Sequence, residues 1–333
     1  MNCIKCKPVN EGCQYPALIR AFTGVPAEEF WDMIEKMEAK LPDYEIGRHT
    51  QEDRKRAMGA GRKFDQSLAQ RTVSVLSYLH LHIPQLVIGL MFGLTQCDIS
   101  RDLRRLLPLI NSVLPSPEVW DIQKDNQESK ELVTLPAEQL ANDCVLVDAT
   151  EQHVYRPGKS NETRKLYYSG KKKIFTIKTQ MLTDDDYHIL AISVSVPGAM
   201  HDKKLSDEVQ TLERLPDGCE VDADKGYQGM TSQVSWVTVC NPETDIEQQV
   251  PRLTVCIPFK KLKGKELTEQ QEEFNSQLSA IRVRVEHCIG WVKNWAIVAT
   301  RFRCSHLTYT SVMQTVCGLV NVQTRRWQTA NRC

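Results

Sequence analysis

Near the C-terminus, Arg282, Glu286 and Lys293 are separated by three and six residues. An α-helix advances about 100° per residue, so positions i, i+4 and i+11 fall within roughly 40° of one another. One helical face would then present a cation, a carboxylate and a second cation in a row. Two further carboxylates, Asp148 and Asp224, each close a short strand-like run, Cys144 to Asp148 and Glu220 to Asp224. Alternation along a strand puts Glu220, Asp222 and Asp224 on one face and Val221 and Ala223 on the other. Carboxylates brought together in this way suit Mg²⁺, which takes oxygen ligands and keeps several waters. Phosphodiester chemistry uses two such ions about 4 Å apart, one activating the nucleophile and one stabilising the leaving oxygen. Each residue also has an ordinary reading. Asp148 can start a turn, Asp224 can form one before Lys225-Gly226, and Glu286 can pair with Arg282 at i,i+4 for about 0.3 kcal/mol. Spacing alone leaves both readings open.

These side chains need a sheet and a helix to carry them. Residues 26–113 read as helical: Phe30, Trp31, Ile34 and Met37, then Leu68, Val73, Leu76 and Leu79, recur at a helical period. Residues 116–142 turn polar and acidic, with Pro117 and Pro136, and read as a linker. Beyond it the period changes. Strands are expected at Cys144–Asp148, Lys173–Leu182, Ile189–Val196, Glu220–Asp224 and Leu253–Ile257, with a helix from His201 to Leu215. That mixture predicts an α/β sheet domain. A long helix follows, opened by a capping box of Thr268 and Gln271. Its apolar stripe runs through Phe274, Leu278, Ile281, Val285, Ile289, Val292 and Ala296, with Glu286 at the stripe's edge.

The chain has 333 residues and equal numbers of basic and acidic side chains, 42 each, but the charges are segregated. Eight Lys or Arg stand against one acid, Glu162, between Arg156 and Lys178, and nine acids against two lysines between Glu118 and Glu151. Other basic clusters lie at Arg54 to Arg56, Arg62-Lys63 and Lys260 to Lys265. Local fields steer a polyanion, so zero net charge does not exclude DNA. The run from Arg156 to Lys178 is either a solvated edge strand or a phosphate track, with Lys171, Lys172 and Lys173 at its centre. The N-terminus lacks an apolar signal core and no apolar run is long enough to span a bilayer, which predicts an intracellular protein off the membrane. Most of the twelve cysteines are isolated in apolar stretches, as reduced core thiols are; Cys3, Cys6 and Cys13 lack a fourth zinc ligand nearby.

Residues 84–106 fit a helix-turn-helix, with Gly89, Gly93 and Ile99 at its small, turn and buried positions. The second helix would expose Gln96, Asp98, Ser100, Arg101, Arg104 and Arg105, glutamine being suited to adenine and arginine to guanine or phosphate. Two packed helices with a basic solvated face is the plainer alternative.

Five motifs, in order, now carry a resemblance: Val147 to Glu151 (VDATE), Tyr167 to Lys173 (YYSGKKK), Pro197 to Asp202 (PGAMHD), Ala223 to Gly229 (ADKGYQG) and Arg282 to His287 (RVRVEH). Together they resemble the DDE transposases, most closely those of bacterial insertion-sequence five-type elements and the related Harbinger class, over residues 23–325. The resemblance implies an RNase H-like catalytic domain, a mixed sheet flanked by helices, preceded by an all-α helix-turn-helix domain. The corresponding division is an N-terminal segment 1–22, a DNA-binding domain 23–115, a linker 116–142 and a catalytic domain 143–325. It implies Asp148, Asp224 and Glu286 as the catalytic, metal-binding triad for two Mg²⁺ or Mn²⁺ ions, Arg282 and Lys293 as DNA-contacting partners of the glutamate, and Asp202 as a reserve acid that could otherwise cap a helix. Ser279 stands where the motif usually has tyrosine, and Phe175 where close relatives often have histidine. The implied function is binding of terminal inverted repeats, cleavage of the element ends with water as first nucleophile, and joining of the freed 3′-hydroxyls to target DNA. Pairing of two ends implies a homodimer or larger assembly on DNA, cytoplasmic at the nucleoid in a bacterium or nuclear in a eukaryote. A catalytically silent, domesticated DNA-binding regulator and a metal-dependent nuclease that never joins ends are the rival functions.

Overall fold

The structure is a computed structural model describing residues 16–49, 64–122, 132–140, 144–158, 160–240, 247–261 and 263–332. Cys3, Cys6, Cys13 and the basic clusters at 54–56 and 62–63 lie outside the described residues. The chain divides into two compact units. One takes the described residues up to Ser116 together with Val292–Thr300 and those from Ser311 onward; the other takes Pro117–Trp291 and Arg301–Thr310.

The first unit is helical: α1 (Pro16–Thr23), α2 (Ala27–His49), α3 (Leu68–Leu81), α4 (Gln85–Phe92) and α5 (Gln96–Val113). Two capping boxes set where α3 and α5 begin. Ser67 and Gln70 exchange side-chain and backbone hydrogen bonds, and so do Thr95 and Asp98. Between α4 and α5 the chain turns on Gly93, whose φ of 69° is left-handed, and packs the Leu94 carbonyl onto Gly89. A Cβ at Gly89 would lie 2.5 Å from that oxygen, so only glycine fits. Ile99 is fully buried, and Asp102 of α5 forms a buried bidentate ion pair with Arg71 of α3.

The expected domain limits do not coincide with these units. Residues Val292–Thr300 include α9 (Ala296–Ala299) and belong to the helical unit, where His82 Nδ1 lies 2.6 Å from the Thr300 hydroxyl. The portion of α10 (Tyr309–Arg332) beyond Ser311 packs on the end of α5: Asn111 contacts Gln314 at 3.0 Å and accepts from Thr315 at 2.6 Å. The apolar face of a helix shows that it is buried, not which core buries it.

The second unit holds a mixed sheet. Its strands are β1 (Glu118–Trp120), β2 (Cys144–His153), β3 (Tyr168–Ser169), β4 (Ile174–Asp184), β5 (Ile189–Ser193), β6 (Val196–Pro197), β7 (Glu220–Ala223) and β10 (Thr254–Cys256), with a separate hairpin of β8 (Trp236–Cys240) and β9 (Glu247–Pro251) and a short helix, α6 (Asn161–Tyr167), between β2 and β3. The main order is β1-β5-β4-β2-β7-β10; β4 runs antiparallel to β2 and β5, while β2, β7 and β10 are mutually parallel. Odd-numbered β2 residues Val145 and Val147 join Val221, Ala223 and Leu205 in one apolar layer. Even-numbered Cys144 and Leu146 pack on Val285 of α8 (Glu269–Val292), flanked by Ile281 and Ile289. The helix starts at the Thr268–Gln271 box.

Residues 116–142 are not simply a linker. Val119 pairs with Ile192 to add β1 to the sheet, and Trp120, Leu135 and Leu140 are buried in its core. Acidic composition hid those apolar anchors. The helix expected from His201 to Leu215 is α7 (Asp202–Glu208) followed by a 3-10 turn at Leu212–Arg214, because Gln210 takes a left-handed φ of 54° between them.

Candidate active site

Strand register places the two aspartates. Val147 of β2 pairs with Ala223 of β7 in parallel, so Asp148 and Asp224, each one residue further on, emerge at neighbouring positions on the face that α8 covers. Asp148 is half-buried, and its Oδ1 accepts a 2.7 Å hydrogen bond from the Ala149 amide. Burial pushes its carboxyl above the usual range; the Ala149 hydrogen bond and the nearby Arg282 charge oppose this, and the charges of Asp224 and Asp202 reinforce it. Three carboxylates therefore share a partly desolvated region, an arrangement whose repulsion a cation would relieve. That fits a divalent-ion site.

Helix α8 supplies the balancing charge. Arg282 is only 7% exposed, and its guanidinium reaches Asp224 Oδ1 at 3.2 Å. The pairing of Arg282 with Glu286 at i,i+4 is thus replaced by one that crosses from helix to strand end. Arg282 Nε is buried without a hydrogen-bond partner. Glu286, one turn further on, is exposed, and no ion pair engages it among the described residues. What fixes its position is the helix itself. Arg284 pairs with Asp185 at 2.5 Å, the Cys288 thiol donates to the Tyr187 carbonyl at 3.4 Å, and His287 stacks on Tyr187. Lys293 follows the last residue of α8, exposed, in the segment grouped with the helical unit.

Asp202 is the first residue of α7, and it neither caps the helix nor stands alone. Its Oδ1 lies 2.6 Å from Lys178 Nζ, which also donates to the Met200 carbonyl and lies 3.5 Å from Glu151. Lys178 is buried, which removes it from the phosphate track expected between Arg156 and Lys178. The glycines of two motifs are explained by close approach. A Cβ at Gly198 would strike Thr176 Oγ1 at 1.8 Å, and one at Gly226 would lie 2.9 Å from Asp202 Oδ2. Tyr227 is fully buried in the apolar layer. Its hydroxyl has no partner, and burial, then the charges of Asp202, Asp148 and Asp224, raise its pKa. Sequence reasoning missed both Lys178 and the orphaned Tyr227 hydroxyl. The cross-strand pairing of Lys178 with Glu151 would have flagged the first only once the register was known.

Lys171, Lys172 and Lys173 are exposed in the turn joining β3 to β4; Lys173 holds a left-handed φ of 58° while its amide donates to the Ser169 carbonyl. On α5, Gln96, Arg101 and Arg104 are exposed and Ser100 is half-buried. Arg105, expected to be exposed, is turned inward instead: its guanidinium lies 2.7 Å from Glu45 and over the Phe64 ring. The described residues contain no helix long and apolar enough to cross a membrane.

Residues 147–321, just over half of the chain, match the family described as DDE superfamily endonuclease. The chain is also similar to the probable transposase for insertion sequence element IS702 of Microchaete diplosiphon, 27% identical over 273 residues that cover 81% of this chain and 86% of the relative. No solved structure matches it. The matched stretch opens on the strand carrying Asp148 and takes in Asp224 and all of α8. The chain belongs to the DDE superfamily endonuclease family.

Proposed function

We propose that the protein is a DNA transposase that binds terminal inverted repeats, cleaves the ends of a mobile element and joins the freed 3′-hydroxyls to target DNA. The observation that carries this reading is the convergence of Asp148, Asp224 and Arg282 beneath a helix that also bears Glu286. The strand order and directions support an RNase H-like sheet for the catalytic unit. Two divalent cations, Mg²⁺ or Mn²⁺, held by Asp148, Asp224 and Glu286, would supply activation of the attacking oxygen and neutralisation of charge at the scissile phosphate.

The chain's own residues do the rest. Arg282 aims Asp224, since a buried guanidinium 3.2 Å from Oδ1 fixes where the carboxylate points. Lys178 holds Asp202 beside Gly226, which makes Asp202 a support of the Asp224 loop rather than a ligand. Lys171, Lys172 and Lys173 bind phosphates of the strand being cut, and Lys293, next after α8 in the chain, is a further DNA contact. In the helical unit, Gln96, Ser100, Arg101 and Arg104 read the repeat, with Arg105 bracing α5 through Glu45. Two copies of the protein pair the two ends.

The test is incubation of the protein with Mg²⁺ and a labelled duplex taken from the DNA flanking its gene, with a supercoiled target plasmid present. End cleavage followed by covalent joining to the plasmid is expected. Binding without nicking would instead indicate a silent regulator, and cutting without joining a nuclease.

A further inference from the structure

A second group of metal-ligating side chains lies on the same sheet, one strand further from Asp148. Glu220 and Asp222 of β7 and Cys256 of β10 bring one ligand atom each within 4.8 Å of one another. The Cys256 thiol lies 3.5 Å from Glu220 Oε1. Register explains the grouping: β10 runs parallel to β7 with Cys256 opposite Asp222, so the thiol stands beside the even-numbered carboxylates. Asp222 is fully buried, and its Oδ1 has no hydrogen-bond partner, while Oδ2 faces the Cys144 thiol at 4.0 Å. A buried carboxylate with an orphaned oxygen is costly unless something binds it. Glu220 is exposed, which leaves an entry path.

We propose that Glu220, Asp222 and Cys256 form a cation site, separate from the catalytic carboxylates, for a single thiophilic divalent ion such as Zn²⁺. With Zn–S near 2.3 Å and Zn–O near 2.1 Å, tetrahedral coordination separates sulfur from oxygen by about 3.6 Å. The Cys256–Glu220 distance of 3.5 Å already has that value. Asp222 closes the third position, Cys144 steadies its second oxygen, and solvent at the Glu220 side fills the fourth. A thiolate selects zinc over magnesium, so this site does not compete for the ions of the catalytic centre. Binding releases the Cys256 proton to solvent as the sulfur bonds to the metal. The ion ties β10 to β7, the strand that leads into Asp224, without taking part in cleavage.

The test is a Co²⁺ titration of the full-length protein in a background where Cys3, Cys6 and Cys13 are replaced by serine. A near-ultraviolet thiolate-to-cobalt absorption saturating at one equivalent, and displaced by Zn²⁺ but not by Mg²⁺, is expected. Cys256→Ala should abolish the absorption, and the exposed Glu220→Gln should weaken binding at least 10-fold. Asp148→Asn should leave both unchanged, so the result stands apart from any result on cleavage. Absence of the band, or a band that survives Cys256→Ala, would overturn the proposal.

Discussion

Asp224 is gripped by Arg282 at 3.2 Å and Asp148 accepts the Ala149 amide at 2.7 Å, whereas Glu286 stands exposed on α8 with no ion pair among the described residues. The two aspartates owe their place to strand register, which is local, rigid and backed by apolar layers. Glu286 owes its place to how α8 is pinned at a distance, through Arg284–Asp185 and the Tyr187–His287 stack. On the proposed function, the strand-borne acids would be coupled to stability as well as chemistry, and the helix-borne acid to chemistry alone.

The sharpest separation comes from charge removal. Asp224→Asn and Glu286→Gln should each lower Mg²⁺-dependent cleavage by about 10³-fold or more, the scale on which ligands of reacting centres act. Only Asp224→Asn should also shift the thermal midpoint, because it alone removes the partner of a buried guanidinium. Equal shifts for the two variants would erase the distinction. Next, Arg282→Ala should cost about 10- to 100-fold in cleavage, the order expected when a reacting group is displaced by an ångström. Its cost in stability should be about 1–2 kcal/mol, reduced from a fully buried pair because the Asp224 side chain is 39% exposed. Cleavage and denaturant unfolding measured on one preparation check both numbers.

A smaller effect tests the pinning of α8. Asp184, at the turn that presents Asp185 and Tyr187, is pushed up to about 6, chiefly by burial. The folded state then holds a proton that the unfolded chain releases near pH 4, so stability falls as pH rises from about 4 to about 6. Asp184→Asn keeps the Oδ1 acceptor for the Asp186 and His188 amides and removes the titrating charge. It should flatten that fall by roughly 1 kcal/mol or more, measured by urea unfolding at pH 4.5 and pH 7. The smallest effect is expected at Tyr227, whose hydroxyl has no partner. Tyr227→Phe should change stability by less than about 0.5 kcal/mol, since it removes no hydrogen bond. A larger loss would show that the hydroxyl bonds a water or ligand at the aspartates.

Much of the sheet and half of the site are legible in the sequence. Short apolar runs announce β2, β4, β5, β7 and β10, because a two-residue period and an apolar layer are local properties. The Thr268–Gln271 box marks the start of α8. What the chain hides is pairing. Nothing near Lys178 says that it is buried against Asp202 and Glu151, and nothing near Arg282 says that it reaches Asp224 rather than Glu286. Arg105 looks like its neighbours on α5 until Glu45 claims it. Trp120, Leu135 and Leu140 are too sparse in an acidic stretch to signal a sheet edge. The assignment of α10 to the helical unit rests on contacts between residues far apart in the chain, such as Thr315 with Asn111, 204 positions apart.

The most direct measurement is cleavage and binding of the same labelled element end by Asp148→Asn. The carboxylate site proposed here predicts that cleavage with Mg²⁺ falls below detection while repeat binding by the helical unit stays within about 2-fold of the unmodified protein, the change being confined to the sheet unit. Cleavage retained in Asp148→Asn would contradict it, because the acid best placed by strand register would then have no part in the chemistry.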